Sequence, residues 1–178
     1  MLKVYLTDLQ AYNEGHWGGK WIELPLTSFE LSHTISEVLN EGETVCKTED
    51  HEEYFITDYE WEEEQVLDVE EYANLFELND QVQKLSELQP YQLKAVRFLL
   101  DQGISLDIDD AIASSDEVII HEGQEMEDVA YNLIQESYNL DNIPALIANH
   151  IDYEGIARDL EYEGCYREYD GDIYEYHY

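Results

Sequence analysis

Apolar residues fall at alternate positions in "LKVYLTD" (2–8) and "KWIEL" (20–24), the period of half-buried strands. "AYNEGHWGG" between them has the glycine and asparagine of a connection. The period then changes. In "LTSFELSHTISEVLN", Thr27 and Glu30 are spaced for a capping box and Leu26 can staple onto Leu31, while Leu31, Ile35, Val38 and Leu39 share one helical face. "EYFITDYEW" (53–61) alternates again, which predicts a third strand.

Helical spacing returns at Asp68, an N-cap with Glu71 three residues on, and puts Val69, Tyr72, Ala73 and Phe76 on one stripe. "DQVQKLSEL" and "PYQLKAVRFLLDQG" read as two further helices, the second opened by Pro90 and stopped by Gly103. "DIDDAIAS" predicts a short helix, "EVIIHE" a strand, and "QEMEDVAYNLIQESYNL" an amphipathic helix. Met126, Val129, Ala130, Leu133, Ile134 and Tyr138 would lie on its apolar side, with Glu125, Asp128 and Glu136 opposite. "DYEGIARDLEYEG" repeats that design with Tyr153, Ile156, Ala157 and Leu160 inward. "CYREYDGDIYEYHY" reads as a hairpin turning at Asp170-Gly171.

The succession predicts an α+β chain of three small domains: an N-terminal α+β domain (1–61) with a three-stranded sheet and a helix, a helical middle domain (62–103), and a C-terminal α+β domain (104–178).

Charge changes this picture. Of 178 residues, 43 are Asp or Glu and 8 are Lys or Arg, a formal charge of -35, far more than solubility needs. Residues 48–83 hold fourteen acids and no Lys or Arg, and residues 98–157 another fourteen with none. Disorder does not follow, because 44% of the chain is apolar and the acids interleave with residues at core spacing. Such a surface repels nucleic acid and anionic membranes, and it attracts basic protein clefts.

Candidate chemistry is sparse. With so many carboxylates, acid–base pairs arise by chance, and no catalytic residue can be singled out. "HEEYF" and "HEGQE" lack the second histidine of a zinc motif, and "DIDDAIASSDE" has Ile112 where a calcium loop needs glycine. Cys46 and Cys165 stand apart as free thiols. No enzyme, metal or cofactor is implied, and no run approaches the ~20 apolar residues that span a bilayer. A cytoplasmic protein is expected.

Duplex DNA carries one charge per ~1.7 Å, so 35 excess charges match roughly 60 Å of duplex, and a dimer roughly 120 Å. An elongated body of small domains faced with rigid carboxylates could therefore occupy the cationic groove of a DNA-binding protein. The residues expected to stand for phosphates are Asp58, Glu60, Glu62, Glu63, Glu64, Glu70, Glu77, Asp109, Asp110, Glu125, Asp128 and Glu136. An acidic adaptor or chaperone for basic DNA-binding proteins, without duplex geometry, is the alternative.

"VYLTDLQAYNEGHWGGKWIEL", "YFITDYEW" and "HIDYEGIARDLEYEG" resemble the ArdA antirestriction family, which is carried on mobile genetic elements. The resemblance runs in order over most of the chain. It implies a homodimeric DNA mimic of three small domains, joined through its C-terminal part, that blocks the DNA site of type I restriction-modification enzymes and brings no catalytic residue.

Overall fold

The computed structural model describes residues 1–62, 65–138 and 140–177 and has an α+β fold. Two compact units, Met1–Leu93 and Lys94–Tyr178, are distinguished by their internal packing.

In the first unit, β1 (Leu2–Asp8) lies between β2 (Gly19–Leu24) and β3 (Tyr54–Trp61), antiparallel to both. Alternation turns Leu2, Val4 and Leu6 to one face, where Ile22, Leu24 and Ile56 join them. Helix α1 (Leu9–Asn13) is a single turn capped by Asp8, and it runs into the first three residues of the stretch 11–19 read as a plain connection. The long helix α2 (Ser28–Cys46) lays Leu31, Ile35 and Val38 on the sheet, and α3 (Leu75–Ser86) adds Leu75, Leu78 and Val82 to the same core. The Thr27–Glu30 capping box forms as the sequence predicts. Asn79 fixes α3 to the turn before α2, accepting from Leu26 N at 2.7 Å and donating to Leu26 O at 3.0 Å.

The helix predicted from Asp68 does not start there. Asn74 caps α3, its Oδ1 accepting from Phe76 N and Glu77 N, while Asp68 accepts from the Gln65 side chain. Residues 68–73 instead run beside the sheet, where Ile56 N donates to Glu71 O at 2.8 Å. Val69 and Ala73 reach the core from this path, but Tyr72 is 67% exposed. A backbone bond to β3 thus displaces the local helical preference.

In the second unit, to which most of α4 (Pro90–Asp101) belongs, come α5 (Ile108–Ser114), β4 (Ile119–His121), α6 (Met126–Ser137), α7 (Ala145–Ala148), α8 (Tyr153–Glu163), β5 (Tyr166–Tyr169) and β6 (Asp172–Glu175). The sheet order is β4-β6-β5, all antiparallel. Between β5 and β6 the turn is Asp170-Gly171, with φ of 51° and 84°, the two positive values that a type I′ hairpin turn requires.

Met126, Val129 and Ala130 of α6 pack on Ala157 of α8 and on Tyr166 and Ile173 of the hairpin. Phe98 of α4, fully buried, stacks on Tyr174 at 4.4 Å and meets Tyr169 and Tyr176 edge-on. Several of the fifteen tyrosines are therefore core residues. Tyr138, expected on the apolar side of α6, is its C-cap; extended backbone there turns the ring outward to 59% exposure.

Candidate interaction surface

Helices α2 and α3 cover one face of the first sheet, so alternation sends Lys3 and Tyr5 of β1 to the other. The register aligns Glu23, Lys3 and Glu60 in one cross-strand row and Trp21, Tyr5 and Asp58 in the next. Asp58 reaches this face because β3 carries a bulge opposite Tyr5 and Leu6. Ile56 and Asp58, two apart, would otherwise point the same way; the inserted Thr57 lets Ile56 enter the core and Asp58 leave it. Thr57 Oγ1 lies 2.9 Å from Thr7 Oγ1.

Three of the carboxylates expected to stand for phosphates, Asp58, Glu60 and Glu62, are thus exposed along one edge of this face. Glu62 accepts from Lys3 Nζ at 3.1 Å and lies 3.7 Å from the N-terminal amine. The hydrogen bond from Lys3 holds the Glu62 carboxyl below the usual carboxylate range and raises the lysine. Glu63 and Glu64 lie outside the described residues. Glu70 is exposed in the segment before α3, and Glu77 is exposed in that helix's first turn.

In the second unit, Asp109 and Asp110 are exposed in the first turn of α5, where Asp110 N donates to the capping Asp107. Glu125 and Asp128 flank the start of α6, and Glu125 N donates to Asp128 Oδ2 at 3.2 Å, so this pair also holds the helix end. Glu136 stands on the same helix, ~16 Å further along its axis from Glu125.

Most cations are engaged by acids. Lys20 meets Glu37 at 2.6 Å, Arg97 meets Asp170 at 3.2 Å, and Lys94 meets Glu122 at 2.8 Å and Asp172 at 3.4 Å. The Glu122 hydrogen bond, with Asp172 behind it, pushes the Lys94 amine well up, so it stays charged at any physiological pH. These pairs remove few charges from a surface with so large an excess, and it remains strongly negative.

One polar group is sealed in the first unit. His51 Nδ1 lies 2.6 Å from Asp8 Oδ2 and its Nε2 2.7 Å from Thr48 Oγ1, while Asp8 Oδ1 accepts from Ala11 N at 2.8 Å. The connectivity is that of an acid, a base and a hydroxyl nucleophile. With the His51 side chain at 0% exposure, however, it ties β1, α1 and the loop after α2 together. Among the described residues no group of three or more His, Cys, Asp and Glu is arranged to hold a metal ion, and no helix is long and apolar enough to cross a membrane.

Sequence reasoning missed Tyr5, Trp21 and Glu23 on the acidic sheet face, although the alternation of β1 and β2 was the signal for them. For the Asp8–His51 pair, 43 residues apart, the sequence offered only the capping preference of Asp8.

A family model described as antirestriction protein (ArdA) matches residues 4–175. No curated protein matches the chain.

Proposed function

The chain belongs to the ArdA antirestriction family, and from that premise we propose that it inhibits type I restriction-modification enzymes as a DNA mimic. The family is one of antirestriction proteins; inhibition of type I enzymes, without catalysis, belongs to the proposal. The observation that carries the finer reading is the exposure of acids from both cation-free tracts on ordered strands and helices, among them Asp58, Glu60, Glu77, Asp109, Asp110 and Glu136. Fixed carboxylates accept Arg and Lys contacts much as phosphates do, and their approach to a cationic groove releases counterions from both surfaces. In this reading the segments 1–61, 62–103 and 104–178 each contribute carboxylates, and inhibition is stoichiometric.

A second copy is proposed to join through the second unit. Helix α7 buries none of its residues, leaves Leu146 77% and Ile147 59% exposed, and sits in the acid-free run 142–151. Two such faces can meet without setting carboxylate against carboxylate.

Titration of the protein into a type I enzyme already bound to fluorescent DNA tests the mimicry. Release of DNA at near-equimolar dimer, weakening as salt rises, is expected. Inhibition with the DNA still bound excludes it.

A further inference from the structure

We propose that the outer face of the N-terminal sheet is an arginine-binding platform, on which a guanidinium of the protein partner stacks against Tyr5 and Trp21 and donates to Asp58. The inference rests on the cationic partner proposed above and specifies a contact that phosphates do not offer.

Three observations carry it. First, an exposed ring is held in place by a half-buried one: Trp21 is 45% exposed, and its ring centroid lies 5.3 Å from that of the half-buried Tyr5 at 64°. A Cβ at Gly19 would fall 2.6 Å from Tyr5 Cε1, so the ring crosses a slot that exists only because residue 19 has no side chain. Second, the register puts Asp58 in the same row on the far side of Tyr5, and Glu23 and Glu60 in the next row, about 7 Å along the strands. Asp58 Oδ1 accepts from Tyr59 N at 2.9 Å, which orients the carboxylate, and a carboxylate accepts at both oxygens. Third, this face already carries a cation on carboxylates. Lys3 is held by Glu62, with Glu23 and Glu60 adding attraction.

The chemistry selects the occupant. Exposed aromatics on an open sheet stack nucleobases where the surroundings are basic, but here Glu23, Asp58 and Glu60 flank the rings, and the one cation in their rows, Lys3, is held by Glu62, so the net charge repels phosphate. A second copy of the face would bring the same charges against themselves. A guanidinium is planar and weakly hydrated, stacks on aromatic rings and forks onto a carboxylate, whereas an ammonium does so poorly. The platform thus distinguishes arginine from lysine, which a bare array of carboxylates does only weakly.

The test titrates hexa-arginine and hexa-lysine peptides into the full chain and its Trp21→Ala and Trp21→Leu variants by calorimetry at fixed salt. The unmodified chain should favour the arginine peptide. In both variants the arginine-to-lysine affinity ratio should fall roughly threefold with lysine-peptide binding unchanged, and Asp58→Asn should weaken both peptides. Arginine peptide should also move the Trp21 indole N–H resonance of the unmodified chain more than lysine peptide does, which needs no variant to fold. An unchanged ratio, with both peptides still bound, overturns the platform and leaves the mimic reading intact. Failure of both peptides to bind in a salt-sensitive way overturns the cationic partner itself. A change of oligomeric state in Trp21→Ala, measured by light scattering, would also overturn the proposal by assigning the face to a contact between copies.

Discussion

Gly42 passes so close to the sealed Asp8 that a Cβ on it would lie 2.2 Å from Oδ2. The carboxylate cannot yield, because one oxygen caps α1 and the other meets His51. Gly42→Ala is therefore expected to destabilise the first unit by about 1–3 kcal/mol, read as a lower urea midpoint. In the second unit, burial and then the charge of Glu175, its partner across the hairpin, push the Tyr166 phenol up to about 12. Tyr169 is raised as well, by burial first and then by its hydrogen bond to Asp101. An unfolded phenol ionises near pH ~10. Between those values the folded state holds the extra protons, so the stabilisation is complete below pH ~10 and disappears as the pH rises through the folded value. Ultraviolet titration should show tyrosines ionising late, and Tyr166→Phe should make the alkaline loss of stability shallower; equal slopes would mean that Tyr166 is not the linked group.

Among the elements, the start of α3 offers the sharpest test of what the sequence conveys. Asp68 and Asn74 are both good N-caps, and only Asn74 is bonded to helical N–H groups. Asn74→Ala should cost about 1 kcal/mol and Asp68→Ala less than about 0.5 kcal/mol in urea unfolding; equal losses would restore the longer helix. Periodicity missed this because the choice is made by the bond from Ile56 N to Glu71 O, a tertiary contact that leaves no local pattern. By contrast, the three strands of the first sheet, the Thr27–Glu30 box and the Asp170-Gly171 turn rest on neighbours in sequence, and all were legible. The acidic sheet face was only half legible. Its carboxylates stood out in composition, but assigning Asp58 to the surface while Ile56 is buried required a bulge that alternation alone does not reveal. The partnership of Trp21 with Tyr5 required the register.

For the molecule as a whole, the excess of 35 negative charges acts on stability and on binding with opposite signs. Folding brings carboxylates closer than they are in the unfolded chain, so raising salt from ~20 to ~500 mM screens more repulsion in the folded state and should raise the melting temperature. The same screening removes the counterion-release advantage that draws the surface to a cationic groove, so affinity for the type I enzyme should fall over that range. Association of two copies adds to the self-repulsion and should strengthen with salt as stability does, provided the contact is the apolar face of α7. Leu146→Asp sets a charge in that face and should give monomers by sedimentation equilibrium at any salt, with the melting behaviour of each unit little changed because Leu146 is exposed. A dimer that survives Leu146→Asp would move the contact away from α7. Mimicry itself would still rest on DNA release and on the salt response: a more stable inhibitor that binds less tightly as ions are added is the combination an extended carboxylate surface requires, and a hydrophobic docking contact would show no such opposition.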